Sequence, residues 1–181
     1  MTTLDQDLAR FRQRRFLAMP LAGMLAWAGV AIAGALLPLK SACVVLFMLT
    51  GCIAYLGMAL SKLTGEHFMD KSRPKNRFDG LFMATVAQAV LVYAIALPFF
   101  ALEPSSLPLT VGILTGLMWL PFGWLVGHWV PMAHTVVRTL AIVAVWLAFP
   151  AQRMLLIPLV VVAAYLPTIW WLERRFRRLA D

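Results

Sequence analysis

The sequence predicts an all-α membrane protein, a polytopic bundle of about six transmembrane helices that forms a single membrane domain over residues 1–181. Composition is the first observation behind this prediction. Hydrophobic residues make up 62% of the chain and charged residues only 13%, whereas soluble domains are roughly half apolar and a quarter charged. A soluble domain of this length has too little interior to hide so much apolar surface. A bilayer solves the problem because it solvates apolar side chains.

Six apolar runs of membrane-spanning length are the second observation. They lie near residues 17–38, 42–60, 81–102, 108–127, 132–149 and 154–172. Each matches the roughly 20 residues with which a helix crosses about 30 Å of hydrocarbon. Because backbone groups in lipid must be paired within their own segment, we expect these runs to be helices. The first run is longer than the apolar core of a signal peptide, so we expect it to be retained.

The placement of Lys and Arg is the third observation, and it predicts that both termini are cytoplasmic. Cytoplasmic loops of membrane proteins carry an excess of Lys and Arg. With the N-terminus inside, only Lys40 and Arg153 fall on the outer side. The other fourteen basic residues are Arg10, Arg12, Arg14, Arg15, Lys62, Lys71, Arg73, Lys75, Arg77, Arg138, Arg174, Arg175, Arg177 and Arg178. An odd number of spans would break this segregation.

The two basic ends predict contact with the lipid surface. Thr3 and Gln6 are spaced as a capping box for a short N-terminal helix, and Asp79 is expected to cap the third span. Basic amphipathic segments lie along anionic headgroups, so the expected partners are the bilayer and its anionic lipids. Nucleic acid is not an expected partner, because the cations stand at the ends of apolar runs and not along one soluble face.

Four glycines of the fourth span predict a helix-packing surface. Gly112, Gly116, Gly123 and Gly127 fall on one side of a helix at 100° per residue. Small residues let helices approach closely in lipid. We expect this surface to be a seam inside the bundle; the alternative is a face for a second copy or another membrane protein.

One charged residue inside a predicted span marks the candidate ligand site. Arg138 lies in the fifth span, His134 is one turn before it, and His128 lies across a short turn at the end of the fourth. A guanidinium with two imidazoles suits an anion such as a phosphate or carboxylate. Gln88 and Tyr165, with Thr85 and Thr115, are expected to extend a polar path. The alternative is that Arg138 extends its side chain to the headgroups.

Catalytic, metal and cofactor sites are not predicted. The sequence has no serine-nucleophile motif, no Walker loop and no HExxH, and every Asp and Glu falls outside the predicted spans. Glu66, His67 and Asp70 share one polar loop, but their spacing matches no known metal motif. Cys43 and Cys52 lie nine residues apart in one run, about 13 Å along a helix and beyond disulfide reach.

Three short motifs carry a resemblance to a known group of proteins. They are Leu60-Ser61-Lys62-Leu63, Asp79-Gly80-Leu81-Phe82 at the start of the third span, and Leu120-Pro121-Phe122-Gly123-Trp124 in the fourth. Over residues 60–124 the chain resembles small six-helix bacterial membrane proteins classed only as a domain of unknown function. The resemblance implies a multi-pass protein of the bacterial inner (plasma) membrane, and it implies no activity and no functional residue.

These observations leave three functional hypotheses. The first is a small carrier or binder of an anionic small molecule or lipid headgroup that uses the Arg138 region. The second is a non-catalytic structural or assembly partner in the membrane, held by the glycine surface and the basic ends. The third is a lipid-modifying membrane enzyme, for which the sequence offers no catalytic residue.

Overall fold

The computed structural model describes residues 3–68, 70 and 76–180, and these fold into helices joined by short turns, with no strand among them. The α-helices of this described part, α1 to α10, are Leu4–Arg12, Ala18–Leu36, Leu39–Gly51, Ile53–Leu63, Arg77–Leu91, Tyr93–Leu102, Leu107–Gly116, Trp119–Val126, Val130–Ala148 and Arg153–Ala180. Short 3-10 turns at Pro104–Ser106 and Pro150–Gln152 precede α7 and α10.

Five helical stretches of the described residues are long and apolar enough to cross a membrane. They are Ala18–Leu36, Arg77–Leu102, Pro104–Val126, Val130–Ala148 and Pro150–Leu179. A sixth candidate is the pair α3 and α4, which meet at a bend of 50°. The prediction of an all-helical protein is therefore confirmed for the described residues, and five helices, or six if the bent pair counts as one, have the length and apolar composition to cross a membrane.

The bend between α3 and α4 interrupts the run that the sequence predicts as one helix over 42–60. Just before the bend, the Thr50 hydroxyl donates to the Leu46 carbonyl at 2.6 Å and lies 2.7 Å from the Tyr93 hydroxyl. A threonine that bonds back to the preceding turn competes with the helix ladder and favours bending. The hydropathy of the run does not predict this hydrogen bond, so the sequence analysis does not place a bend here.

Helix α2 is the central element of the bundle, and it packs against α3, α4 and α10. Ala22, Ala26 and Ala33 are buried along it. A Cβ added at Gly34 would collide with the backbone carbonyl of Met154 on α10, so glycine at this position allows the two backbones to approach closely. Close packing of small residues is how helices associate in lipid.

Ion pairs and hydrogen bonds gather several basic segments at one end of the bundle, which we call the basic end. Arg14 pairs with Asp79 at the start of α5. Arg15 binds the Glu173 carboxylate of α10 through two 2.8 Å bonds and the Thr64 carbonyl after α4 at 2.6 Å. These contacts place the N-terminal segment, the turn after α4, the start of α5 and the last turns of α10 together.

The opposite end of the bundle holds the two basic residues that the sequence separates from the others. Arg153 donates to the Ser105 hydroxyl at 3.1 Å, and Lys40 lies in the first turn of α3. Apart from Arg138, which is buried inside the bundle, the described basic residues are therefore segregated in space as they are along the sequence. Lys71, Arg73 and Lys75, which the sequence analysis counts with the basic side, lie outside the described residues.

The helix caps at the basic end differ in part from expectation. The predicted capping box of Thr3 and Gln6 is confirmed. The prediction that Asp79 caps α5 is wrong, because the N-cap is Asn76, whose side chain accepts from the Phe78 N–H at 2.9 Å. Asp79 is the third helical residue, and its carboxylate accepts from the Asn76 N–H at 3.2 Å. An asparagine cap with an acidic third residue forms a reciprocal capping box.

Candidate functional site

Arg138 projects from α9 into the centre of the bundle, where its side chain is 1% exposed. Its Nη2 donates to the Thr115 hydroxyl of α7 at 3.1 Å. The guanidinium carbon lies 5.7 Å from the ring centre of Trp27 on α2 and 5.8 Å from that of Tyr165 on α10. Four helices therefore surround this cation, and its Nε has no hydrogen-bond partner within the described residues.

His134 lies one turn before Arg138 on the same helix and is 4% exposed. Its Nδ1 is 3.0 Å from the Ala164 carbonyl oxygen and 2.9 Å from the Thr168 hydroxyl. Because a carbonyl oxygen only accepts, the Ala164 contact assigns the ring proton to Nδ1 and leaves Nε2 as an acceptor. That Nε2 is buried and has no partner in the part of the chain that the structure describes.

Aromatic rings enclose both side chains. The His134 ring lies 4.7 Å from Trp119 and 5.0 Å from Tyr165, measured between ring centres. Trp119 and Tyr165 also contact each other edge to face at 5.7 Å. We call the arrangement of Arg138, His134, Thr115, Thr168, Trp27, Trp119 and Tyr165 the core site.

The glycines of the fourth predicted span pack against other parts of the same chain. A Cβ at Gly116 would lie 3.3 Å from the Arg138 Nε, so this glycine leaves room for the guanidinium. A Cβ at Gly112 would meet Ile142, and one at Gly123 would meet Met132, each at 3.0 Å. Gly127 adopts a left-handed φ of 70° as the C-cap of α8, next to the Arg12 side chain. Of these four glycines, only Gly112 and Gly116 lie beside the core site.

The structure does not bring His128 and Gln88 to the core site. His128 stacks on Trp171 at the basic end, with ring centres 3.6 Å apart. Gln88 is exposed on α5, which packs against α1, α6 and α8. Thr85, on the same helix, donates to the Phe82 carbonyl at 2.7 Å. Of the residues predicted for the polar path, Arg138, His134, Tyr165 and Thr115 come together.

Residues that the sequence analysis missed complete the site. Trp27 and Thr168 contact Arg138 and His134 respectively. A weak signal exists for both: Trp27 is the one large aromatic residue on the alanine-rich side of α2, and Thr168 lies one turn after Tyr165. Neither signal identifies the residue on another helix that Trp27 or Thr168 contacts.

Glu66, on the loop that also holds His67 and Asp70, caps the start of a neighbouring helix. Glu66 is buried, and its Oε1 accepts from the backbone N–H groups of Leu17 and Ala18 at 2.9 and 2.7 Å, which caps the start of α2. Burial raises the pKa of this carboxyl group. Within the described residues no group of three His, Cys, Asp or Glu side chains is arranged to hold a metal ion.

Comparison with known families matches the chain to a family described as of unknown function, DUF7010, over residues 2–175. The resemblance predicted from residues 60–124 to an uncharacterised group is therefore confirmed, and it extends over most of the chain. No curated protein and no solved structure matches.

Proposed function

The chain belongs to DUF7010, a family of unknown function, and we propose from its geometry that it is a small inner-membrane carrier or binding protein for an oxyacid anion. The anion occupies the core site. Both termini and the basic end face the cytoplasm, in keeping with the bias of Lys and Arg toward that side of a membrane. If α3 and α4 form one bent span, the chain crosses the membrane six times. An even number of crossings leaves both termini on the same side.

The observation that carries the proposal is a buried cation without a counter-ion. The ion pairs of the described residues join Arg14, Arg15, Arg77 and Arg177 to carboxylates, and none involves Arg138. A charge in the interior of a membrane protein costs several kcal/mol unless a partner or water compensates it. An anion on the free Nε supplies that partner.

The two unpartnered nitrogens are complementary to one class of ligand. Nε of Arg138 is a donor and Nε2 of His134 is an acceptor, so the site suits a molecule that carries both an ionised oxygen and a hydroxyl. Monohydrogen phosphate and the anions of hydroxycarboxylic acids have this combination. Arg138 lies eight residues into α9, about 12 Å from the basic end of that helix, which is the depth expected for a carrier site.

Replacement of Arg138 by Met tests the proposal. Wild-type protein in neutral detergent should show a saturable rise in unfolding temperature with phosphate, and a weaker one with sulfate, which has the same shape but no proton at neutral pH. Arg138→Met should fold, because an apolar chain in place of an unpaired buried charge is often neutral or stabilising. It should lose the response to phosphate.

Arg153→Gln is the matched control, because it removes one cation from the opposite end and should keep the phosphate response. If Arg138→Met and wild type respond alike, phosphate binds elsewhere and the core site is purely structural. An equal response of the wild type to sulfate and phosphate would contradict the role assigned to His134.

Assembly with a second copy is the second candidate function, and the third predicted span favours it. Only 18% of the apolar stretch of Arg77–Leu102 is buried, against 44% for Ala18–Leu36 and for Pro104–Val126. Gln88 is exposed on this span, and its amide has no partner among the described residues. An amide in hydrocarbon is stabilised by hydrogen bonding across a helix interface, and a two-fold axis would pair it with its own copy.

A further inference from the structure

A groove of about 310 Å³ opens at the basic end, between the turn that follows α8 and the last turns of α10. Its lining residues are His128, Trp171, Arg174, Arg175, Arg178 and Leu179. None of them belongs to the core site, so the groove needs an explanation of its own.

The arginines near the groove fall into two groups with different surroundings. In the first group, Arg12 donates to the Leu125 carbonyl at 3.0 Å, Arg14 pairs with Asp79, and Arg15 binds Glu173. These three fasten the N-terminal segment to the bundle, and their hydrogen-bonding groups are engaged by the protein itself.

The second group, Arg174, Arg175 and Arg178, forms no ion pair with a carboxylate of the described residues. Arg175 donates to the backbone carbonyl of Arg12, which holds the guanidinium in position without neutralising it. Glu173, although adjacent in sequence, binds Arg15 and Arg177 instead. Three cations therefore lie together in the groove, and no carboxylate of the described residues neutralises them.

His128 adds a hydrogen-bond donor to these cations. Its Nδ1 accepts from the Val130 N–H at 3.2 Å, so the neutral ring carries its proton on Nε2. The ring is held against Trp171 by stacking, with ring centres 3.6 Å apart and an interplanar angle of 31°.

Apolar surface borders the charged part of the groove. Trp170 is 57% exposed and lies under the Arg174 guanidinium, with the guanidinium carbon 5.1 Å from the ring centre. Leu179 is 53% exposed beside Arg178. Tryptophan is enriched where a membrane protein meets the lipid–water interface, so a ligand of this groove touches both cations and apolar side chains.

We propose that this groove binds one anionic phospholipid, with the phosphate on the three arginines and His128 and the acyl chains along Trp170 and Leu179. Guanidinium groups bind phosphate oxygens in bidentate fashion. Free phosphate would satisfy the cations but leave the apolar border bare. The proposal rests on the membrane insertion proposed above, and it is independent of whether the core site binds an anion.

Short-chain lipids test the groove on the full-length protein in neutral detergent. Dihexanoyl phosphatidylglycerol should raise the unfolding temperature with a saturable dose response, whereas dihexanoyl phosphatidylcholine and inorganic phosphate should need far higher concentrations. The double variant Arg174→Gln and Arg178→Gln changes two exposed side chains, so it should fold. Its half-saturating concentration of phosphatidylglycerol should rise roughly thirtyfold, as expected for two cations near an anionic headgroup.

The control is the double variant Arg10→Gln and Lys62→Gln, which removes the same charge from exposed positions at the same end of the bundle. It should bind the lipid as the wild type does. Equal weakening in both double variants would overturn the proposal, because the attraction would then be diffuse. Half-saturation by inorganic phosphate at the lipid concentration would also overturn it, in favour of a free-phosphate site.

Discussion

The charge of His128 depends on neighbours that are remote in sequence. Burial against Trp171, with a further contribution from the Arg175 guanidinium, holds the pKa of the His128 imidazole below its ordinary value of 6.5. The unfolded chain lacks these neighbours. Below about pH 6.5 the unfolded state therefore binds a proton that the folded state resists, and stability falls as the pH falls through the folded-state pKa.

We predict that the variant His128→Asn loses part of this pH dependence. The Asn side-chain oxygen can still accept from the Val130 N–H, but it does not titrate. Unfolding temperatures in neutral detergent at about pH 7.5 and about pH 5.5 should differ less for this variant than for the wild type. His67→Asn, a change at an exposed histidine, should keep the wild-type difference. A full wild-type difference in His128→Asn would contradict the prediction.

Sequence reasoning at the residue scale finds charged groups but not their partners. Arg138 stands out because it is the one strong charge inside a predicted span, and the helical period places His134 beside it. Thr115, Trp27 and Thr168 come from three other helices. Their contacts depend on how the helices rotate about their axes and against which neighbours they pack, and the pattern of a single sequence does not determine either.

At the element scale, α5 and α6 differ from the other spans because they leave a long apolar face uncovered. Met83, Leu91 and Leu97 are at least half exposed along these helices. Lipid covers apolar side chains well, but it offers no hydrogen bond to the amide of Gln88. If the second candidate function holds, this amide meets its own copy at a dimer interface.

Gln88→Leu should therefore convert a dimer into a monomer. Light scattering coupled to size exclusion in a mild detergent measures the mass of the protein and is the suitable readout. Val90→Leu, a change at another exposed position of the same helix, should leave the dimer intact. A wild-type protein that is already monomeric, or a Gln88→Leu variant that stays dimeric, would refute assembly through this face.

Helix boundaries show which elements follow from local patterns. The apolar runs predict the helices closely at Ala18–Leu36 and Val130–Ala148, because span length and hydropathy are local properties. The bend after Gly51 and the choice of Asn76 over Asp79 as N-cap escape that reasoning. Both depend on particular hydrogen bonds, from Thr50 to Leu46 and from Phe78 to Asn76.

At the scale of the whole molecule, the two ends of the bundle carry very different charge. The N-terminal segment, the start of α5 and the last turns of α10 meet at the basic end through Arg14 and Arg15. Lys40 and Arg153 lie at the other end. The sequence predicts this separation because charge bias is read directly from the loops, whereas the fastening of the N-terminal segment by ion pairs is visible only in three dimensions.

Accessibility of single cysteines tests the central claim, that the two ends lie on opposite sides of a bilayer with the basic end in the cytoplasm. In a background with Cys43→Ala and Cys52→Ser, the substitutions Lys62→Cys and Lys40→Cys probe the basic end and the opposite end. A membrane-impermeant maleimide applied to intact bacterial cells with a permeable outer membrane should label Lys40→Cys only, and Lys62→Cys should react only after the inner membrane is opened. Labelling of both positions from the same side would contradict the account.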